Sequence, residues 1–244
     1  FLLYNINMDN KNSIFLIDKP AGWTSFDVVA KLRSEIRKQL IASSERPIAK
    51  SEIRVGHAGT LDPFATGLLI ILIGKATKRQ VELMKLNKEY EATLFLGATS
   101  TTGDPEGTIT STPSRYSEAQ SKNDSAPTTK EIEDTLKKFT GDMEQTPPQY
   151  SAIKINGQRA YKLARAGIKA DLKSRKIKIY KTKLLNYTWP KLKIKVNCSS
   201  GTYIRTLAED IGKELGCGAY LTELRRTKIE NFDIKDAISI DKAI

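Results

Sequence analysis

The chain has 244 residues, 39% of them hydrophobic, and its 40 lysines and arginines outnumber 28 acids to give a formal net charge of +12. This length fits one large folded domain or two small ones, and because no apolar run reaches about 18 residues we expect no membrane-spanning helix. Two cysteines without a CxxC spacing argue against a disulfide framework or a zinc site and favour the reducing cytoplasm. The positive charge favours a polyanionic partner, above all a nucleic acid.

Patterns of apolar and turn residues predict the elements in chain order. The first half reads as a strand at residues 14–17, a helix capped by Thr24 or Ser25, and strands at residues 68–74 and 89–97. The second half reads as a long loop at residues 99–128, a helix at 128–139, a strand, turn and short helix at 151–167, strands at 176–189 and 192–200, and a helix at 202–216. Because the elements show no strict strand–helix–strand alternation, the predicted fold class is α+β with a mixed or antiparallel central sheet.

The stretch GTLDPFATG, residues 59–67, restricts the backbone around one acid, Asp62. Glycines at both ends permit backbone angles that other residues resist, and Pro63 fixes its own φ and biases Asp62 toward an extended conformation. An aspartate in such a setting is a candidate covalent nucleophile. The alternative is an ordinary turn aspartate that hydrogen-bonds its own backbone.

Other catalytic motifs are absent or incomplete. Gly67 and Gly74-Lys75 are too far apart for a phosphate-binding loop, and Ala76 stands where that motif needs Ser or Thr. The single histidine, His57, excludes a cluster of histidine metal ligands, and no GxSxG elbow offers a serine for a catalytic triad. We therefore expect no metal and no cofactor.

An aspartate that acts as a nucleophile works best ionised, and a nearby cation lowers the pKa of such a carboxyl. Arg205, in SSGTYIRTLAEDIG at the entry to the last predicted helix, is the best candidate for that cation. Local pairing with Glu209, four residues further on, is an equally good reason for an arginine at this position. The residues alone leave both interpretations open.

Five segments together resemble the TruB family, the bacterial tRNA pseudouridine-55 synthases. They are, in chain order, FLIDKPAGWTSFDVV, VGHAGTLDPFATGLLIILIGKATK, KEYEATLFLGATSTTGDPEG, TPPQYSAIKINGQRAYKLARAG and CSSGTYIRTLAEDIGKELGCGAYLTELRRTKIENF. The resemblance covers roughly residues 14–232 and implies the α+β pseudouridine synthase core, with a mixed, largely antiparallel central sheet and flanking helices. An RNA-gripping insertion is implied at about residues 141–170. It also implies the reaction, in which a uridine in the T-loop of tRNA, at position 55, is detached from its ribose, turned and rejoined through C5.

The resemblance assigns roles position by position. Asp62 matches the catalytic aspartate, Arg205 the arginine that pairs with it, and Tyr90 the tyrosine that stacks on the flipped-out base. Whether Asp62 attacks the uracil ring or the sugar stays open. The matches for substrate binding are His57 for the T-loop, Tyr203 and Leu224 for the base pocket, and Lys19 beside the cleft. Basic residues predicted to meet phosphates are Lys75, Lys154 and Arg225, with Lys78, Arg79, Arg159, Lys162, Arg165 and Arg226 as further candidates.

The predicted organisation is a single catalytic domain over residues 1–244, a monomer that binds the tRNA T-arm and has no membrane partner. Few residues follow KIENF, so no C-terminal PUA domain is expected, and residues 36–52 look like an added polar segment. Two alternatives remain, a chaperone that folds tRNA without catalysis and a guide-dependent RNA pseudouridine synthase. The combination of Asp62, Tyr90 and Arg205 argues against the first, and the missing PUA domain argues against the second.

Overall fold

The computed structural model describes residues 13–42, 54–113, 126–155 and 157–243. Its strands, numbered in chain order, are Ile14–Lys19 (β1), Val55–Ala58 (β2), Thr66–Ile73 (β3), Lys88–Leu96 (β4), Ala98–Ser100 (β5), Ile109–Ser111 (β6), Gly141–Gln145 (β7), Lys154–Ile155 (β8), Gln158–Arg159 (β9), Arg175–Thr188 (β10), Lys191–Cys198 (β11), Ala219–Ile229 (β12), Phe232–Asp233 (β13) and Ile238–Ser239 (β14). Its α-helices are Ser25–Ala42 (α1), Gln80–Met84 (α2), Thr129–Lys138 (α3), Ala160–Arg165 (α4), Ile204–Glu214 (α5) and Ile240–Ala243 (α6), and Gly74–Arg79 and Ile234–Asp236 form 3₁₀ turns.

The chain forms two compact units. The first unit contains residues Phe1–Tyr90 and Arg225–Ile244, and the second contains residues Glu91–Leu224. The single domain predicted for residues 1–244 stays a prediction.

The first unit is built around β3. Strands β1 and β2 pair with β3 in the antiparallel direction, and β12 pairs with it in the parallel direction at Arg226 and Gly67. β14 lies parallel to β1, and β13 lies antiparallel to β12. The sheet of this unit is therefore mixed.

Apolar side chains cover both faces of β3, which is why its sequence is a continuous apolar run instead of an alternating one. One cluster packs β3 against α1 and contains Leu69, Ile71, Ile73, Val28, Val29, Leu32 and Ile36. The other contains Leu68, Ile70, Leu72, Leu83 and Ile229. Helix α1 begins with a reciprocal pair of hydrogen bonds, because Asp27 N–H donates to Thr24 Oγ1 and Thr24 N–H donates to the Asp27 carboxylate.

The second unit contains the strand order β4-β11-β10-β7, in which β10 pairs antiparallel with both β11 and β7. Residues of β11 alternate between buried and more exposed positions, with Ile194 and Val196 inside and Lys193 and Lys195 on the outer face. Helix α3 packs against β10 and α5. It begins with a capping box between Thr128 and Glu131.

These elements confirm the predicted α+β class with a mixed sheet and flanking helices. The predicted long loop at residues 99–128 was wrong in part, because β5 and β6 pair within it, and residues 114–125 lie outside the described residues. The added polar segment at residues 36–52 begins inside α1, and its residues 43–52 also lie outside them. In the described parts of the chain, no helix has both the length and the apolar character needed to cross a membrane.

Candidate active site

Asp62 lies in the connection between β2 and β3, in the first unit. We call residues 59–65 the Asp62 loop. Its central residue is half-buried, with buried Leu61 on one side and half-buried Pro63 on the other. The Asp62 carbonyl accepts a hydrogen bond from Ala65 N–H at 3.1 Å, so the loop closes as a tight turn. The constrained setting inferred from the sequence therefore exists around this carboxylate.

The turn before α1 and the first residue of that helix hold the Asp62 loop on both sides of the acid. Ser25 Oγ accepts a hydrogen bond from Leu61 N–H at 2.8 Å and donates one to the Leu61 carbonyl at 3.2 Å. Gly22 N–H donates to the Pro63 carbonyl at 2.9 Å. The residues immediately before and after Asp62 are thus fixed by their main-chain groups.

Lys19, predicted to lie beside the cleft, is fully buried. Its ammonium donates to the carbonyls of Pro63 at 3.2 Å, Trp23 at 2.6 Å and Pro20 at 2.8 Å. Three carbonyl acceptors compensate for the loss of water around this charge. Lys19 therefore holds the turn before α1 against the Asp62 loop, and we assign it a positioning role instead of a contact with substrate.

Arg226 of β12 holds the two ends of the GTLDPFATG stretch. This arginine is 1% exposed, and its guanidinium donates to the carbonyls of Leu68 and Gly59 at 2.7 and 3.0 Å. Gly67 has a φ of +104°, and a Cβ there would lie 2.3 Å from the Arg226 carbonyl oxygen, so only glycine fits. The guanidinium is committed to main-chain acceptors, which makes Arg226 a structural residue and not the phosphate ligand expected from the sequence.

The other site residues predicted in the first unit differ in their exposure to solvent. Tyr90 is 8% exposed on the inward-facing side of β4, and His57 is half-buried on β2 with its carbonyl accepting from Gln80 Nε2 at 2.8 Å. Lys75 is exposed in the 3₁₀ turn after β3. Arg225 donates to both carboxylate oxygens of Asp18, at 3.0 and 2.7 Å, so a phosphate would compete with Asp18 for it.

Arg205 of α5, in the second unit, is 3% exposed and lies in a polar network. Its guanidinium donates to the carbonyls of Thr102 and Tyr150 at 3.0 and 2.8 Å, and Nη1 lies 3.4 Å from a carboxylate oxygen of Asp104. Asp104 itself is 4% exposed. Arg205 is therefore buried beside Asp104 and is not a surface arginine, while its local pairing with Glu209 stays a prediction. The predicted pair of Arg205 with Asp62 stays a prediction.

Burial raises the pKa of the Glu209 carboxyl, and the charge of Asp210 adds to this rise while Arg205 opposes it. The site around Arg205 thus contains the carboxylates of Asp104 and Glu209 in addition to the arginine. Gly103 packs against this group, since a Cβ there would lie 2.4 Å from Glu209 Oε1.

Tyr203 precedes α5 and is held by Gln145 at the end of β7. Tyr203 N–H donates to Gln145 Oε1 at 2.8 Å, and Gln145 Nε2 donates to the Tyr203 carbonyl at 3.0 Å. Gln145 is 4% exposed, and the Arg175 guanidinium lies 5.3 Å from the centre of the Tyr203 ring. The tyrosine predicted for the base pocket is therefore fixed in both main chain and ring. Leu224 is 7% exposed at the end of this unit.

Residues 151–169 form a basic segment of the second unit, which contains β8, β9 and α4. Gln149 closes its base, because the Gln149 side-chain amide makes hydrogen bonds of 2.8 and 3.0 Å with the main chain of Ala170. The exposed basic residues of this segment are Lys154, Arg159, Lys162, Arg165 and Lys169. No acid occurs between residues 151 and 169, so the segment presents positive charge alone.

Sequence reasoning missed the residues that hold the site. The sequence indicates Ser25 only as a possible helix cap and Arg226 only as a candidate phosphate contact, and it gives no sign of the roles of Gln145 and Asp104. The available signal was weak: a polar residue beside a Gly- or Pro-rich stretch is typical of a turn as well as of a buried anchor.

Comparison with known proteins gives two matches to family models. Residues 46–204 match the model described as the TruB family pseudouridylate synthase (N terminal domain). Residues 205–242 match the model described as the tRNA pseudouridylate synthase B C-terminal domain. The two matches together include the Asp62 loop and Arg205.

Relatives of known name match nearly the whole chain. The tRNA pseudouridine synthase B of Phocaeicola vulgatus is 44% identical over 232 residues, which are 95% of this chain and 91% of that protein. The protein of the same name from Endomicrobium trichonymphae is 41% identical over 230 residues, 94% of this chain and 90% of that protein.

Solved structures show the same fold. The crystal structure of a Cbf5-Nop10-Gar1 complex matches with a TM-score of 0.65 and 27% identity over 98% of this chain, which spans 57% of the length of the matched protein. The archaeal box H/ACA sRNP Nop10-Cbf5 complex matches with a TM-score of 0.63 and 23% identity, covering 100% of this chain and 57% of that one.

Proposed function

Because the chain belongs to the TruB family of pseudouridylate synthases, we propose that it converts uridine 55 in the T-loop of tRNA to pseudouridine. Its fold is the pseudouridine synthase core, and it is an isomerase that acts on uridine in tRNA. Position 55, the T-arm as the bound part of tRNA, and a monomeric state are the finer parts of the proposal. The cytoplasm is the proposed location, since it is where a reducing environment keeps thiols such as those of the buried Cys198 and Cys217 reduced.

The reaction balances without a cofactor. The bond between N1 and C1′ breaks, the uracil turns, C5 bonds to C1′, and C5 loses a proton while N1 gains one. Asp62 supplies the nucleophile. Two positions of attack are chemically open to its carboxylate, C6 of the ring and C1′ of the ribose.

The observation that carries the proposal is the anchored Asp62 loop. On one side of the acid, Leu61 N–H donates a hydrogen bond to Ser25 Oγ at the start of α1. On the other side, the Pro63 carbonyl accepts one from Gly22 N–H in the turn before that helix. A nucleophile held in this way loses little conformational entropy when the substrate binds. A group that is already placed against the substrate reacts faster for that reason. An ordinary turn aspartate needs no such support from a distant segment.

The remaining residues fit roles around a flipped-out uridine. A base inside a folded loop cannot be reached until it leaves its stack, and Tyr90 offers an aromatic face to replace the lost stacking. Tyr203 and Leu224 are assigned to the base pocket, His57 to the T-loop, and Arg205 to the charge of Asp62. These assignments rest on the family match at each position.

Two substitutions of Tyr90 should distinguish the role of its aromatic ring from the role of its hydroxyl. Tyr90→Leu is expected to slow the single-turnover rate about 10- to 100-fold while tRNA affinity changes less, because the stacked base forms only on the way to reaction and stacking contributes about 1–3 kcal/mol. Tyr90→Phe keeps the ring and tests the hydroxyl alone. Single-turnover rates and dissociation constants for both variants make the comparison, and full activity in both would remove Tyr90 from the mechanism.

The RNA-gripping insertion is proposed at about residues 141–170, and its basic segment, residues 151–169, presents the exposed positive charge. Lys154→Gln combined with Arg159→Gln should weaken binding to a T-arm hairpin and reduce the slope of log affinity against log salt by about one for each phosphate that is no longer neutralised. The matched control is Lys130→Gln with Lys137→Gln, two exposed lysines of α3. Binding is measured at several salt concentrations, and equal slopes for both double variants would place the RNA elsewhere.

Mapping pseudouridine in tRNA incubated with the pure protein tests the proposed function directly. Modification confined to position 55 supports it, and modification at another uridine would contradict the proposed position. RNA binding without any isomerisation would favour the chaperone. Dependence on an added guide RNA would favour the guide-dependent class.

A further inference from the structure

We propose that Ser25 is a positioning residue for the reaction, acting on Asp62 through the main chain of Leu61. The proposal rests on the proposed function, because it assigns to Ser25 the task of holding the nucleophile. Ser25 itself is 2% exposed, so it does not contact tRNA. Its effect is therefore expected in the chemical step.

One hydroxyl serves both main-chain polar groups of the residue before Asp62. Ser25 Oγ accepts from Leu61 N–H at 2.8 Å and donates to the Leu61 carbonyl at 3.2 Å. Leu61 is 3% exposed, so water does not easily replace either hydrogen bond. The hydroxyl thus satisfies both main-chain polar groups of Leu61, as a neighbouring strand satisfies the N–H and C=O of a residue in a β-sheet.

The position of Ser25 is itself fixed. It is the first residue of α1, and the next turn of that helix packs Val28 and Val29 into the apolar core at 0% and 2% exposure. A hydroxyl on such a rigid element places its partner more accurately than one on a loop does.

Only one side of the acid depends on Ser25. The other side is held independently, by Gly22 N–H and Lys19 Nζ on the Pro63 carbonyl. Removing the Ser25 hydroxyl should therefore release residue 61 without unfolding the loop. A shift of the carboxylate by a fraction of an ångström to about 1 Å is enough to slow a positioned reaction by up to about 100-fold.

The test compares Ser25→Ala with a neighbouring control. Ser25→Ala should lower the single-turnover rate about 10- to 100-fold, with KM for tRNA within about threefold because the hydroxyl does not reach the substrate. Ser25→Cys, which keeps the size but weakens both hydrogen bonds, should have a rate between those of Ser25→Ala and the wild type. Thr24→Ala removes the cap of the same helix without touching Leu61, and should lower Tm while leaving the rate unchanged.

A second measurement follows the main chain directly. Amide hydrogen exchange of the peptide that contains Leu61 should be faster in Ser25→Ala than in the wild type and unchanged in Thr24→Ala. Unchanged exchange in Ser25→Ala would overturn the proposal, since the hydroxyl would then not hold the loop. Faster exchange with a wild-type rate would overturn it as well, because the loop position would not matter for the reaction.

Two further outcomes separate this proposal from its premise. An equal loss of rate in Thr24→Ala would overturn it, because the effect would belong to the stability of α1. If the wild type forms no pseudouridine, the proposed function fails and takes the catalytic part of the proposal with it. The exchange comparison still decides whether Ser25 holds Leu61.

Discussion

Asp62→Asn is expected to lower the single-turnover rate of pseudouridine formation by at least about ten-thousandfold, a barrier increase of about 5.4 kcal/mol. The amide has nearly the same shape as the carboxylate but no negative charge, so it cannot serve as the nucleophile. The hydrogen bonds that hold the Asp62 loop involve the main chain of residues 61–63, and the substitution leaves them in place. Stability should therefore change little.

Binding and a matched control make this result specific. The dissociation constant for tRNA is expected to stay within about tenfold of the wild type, because removing one charge alters affinity by a limited amount. Asp134→Asn, at an exposed position on α3, makes the same chemical change outside the site and should leave the rate unaltered. Activity of Asp62→Asn close to that of the wild type would sink the assignment of Asp62 as the catalytic residue.

The parts of the fold that could be predicted are those written in local patterns. The apolar run of β3 predicts a buried strand, and the helical spacing of Ile132, Leu136 and Phe139 predicts a helix at residues 128–139, where α3 was found. The constrained backbone around Asp62 could also be predicted, because the conformational effects of glycine and proline are local and do not depend on the rest of the fold. Local rules sufficed for each of these.

The parts that could not be predicted depend on partners far apart in the chain. Ser25 lies 36 residues from Leu61, Gln145 lies 58 residues from Tyr203, and Arg226 lies 167 residues from Gly59. The sequence alone does not predict which main-chain group a buried polar side chain will hydrogen-bond.

Strand β12 escaped prediction for a related reason. Its residues 222–228 are mostly polar, and Arg226 occupies an inward-facing position where the alternating pattern calls for an apolar side chain. Hydrogen bonds to the carbonyls of Leu68 and Gly59 make that burial tolerable.

Arg205→Met is expected to lower the single-turnover rate at least about 100-fold, or about 2.7 kcal/mol, because a nucleophilic carboxylate without its cation is less ionised and less well placed. The variant is also expected to be destabilised. Asp104 would be left as a buried carboxylate without its guanidinium partner, which costs about 3–5 kcal/mol when a buried ion pair is broken. A rate loss in this variant alone would therefore not separate catalysis from folding.

A double variant separates the two effects. In Asp104→Asn with Arg205→Met the negative charge at residue 104 is gone. The amide oxygen of the new side chain can still accept the hydrogen bonds that Asp104 Oδ1 receives from Thr102 Oγ1 and Glu106 N–H. Thermal unfolding should show that the double variant recovers much of the stability that Arg205→Met loses. The rate should stay at least about 100-fold below the wild type, because the cation is still missing. A double variant with restored stability and normal turnover would show that Arg205 serves the fold alone and that its predicted pair with Asp62 does not exist.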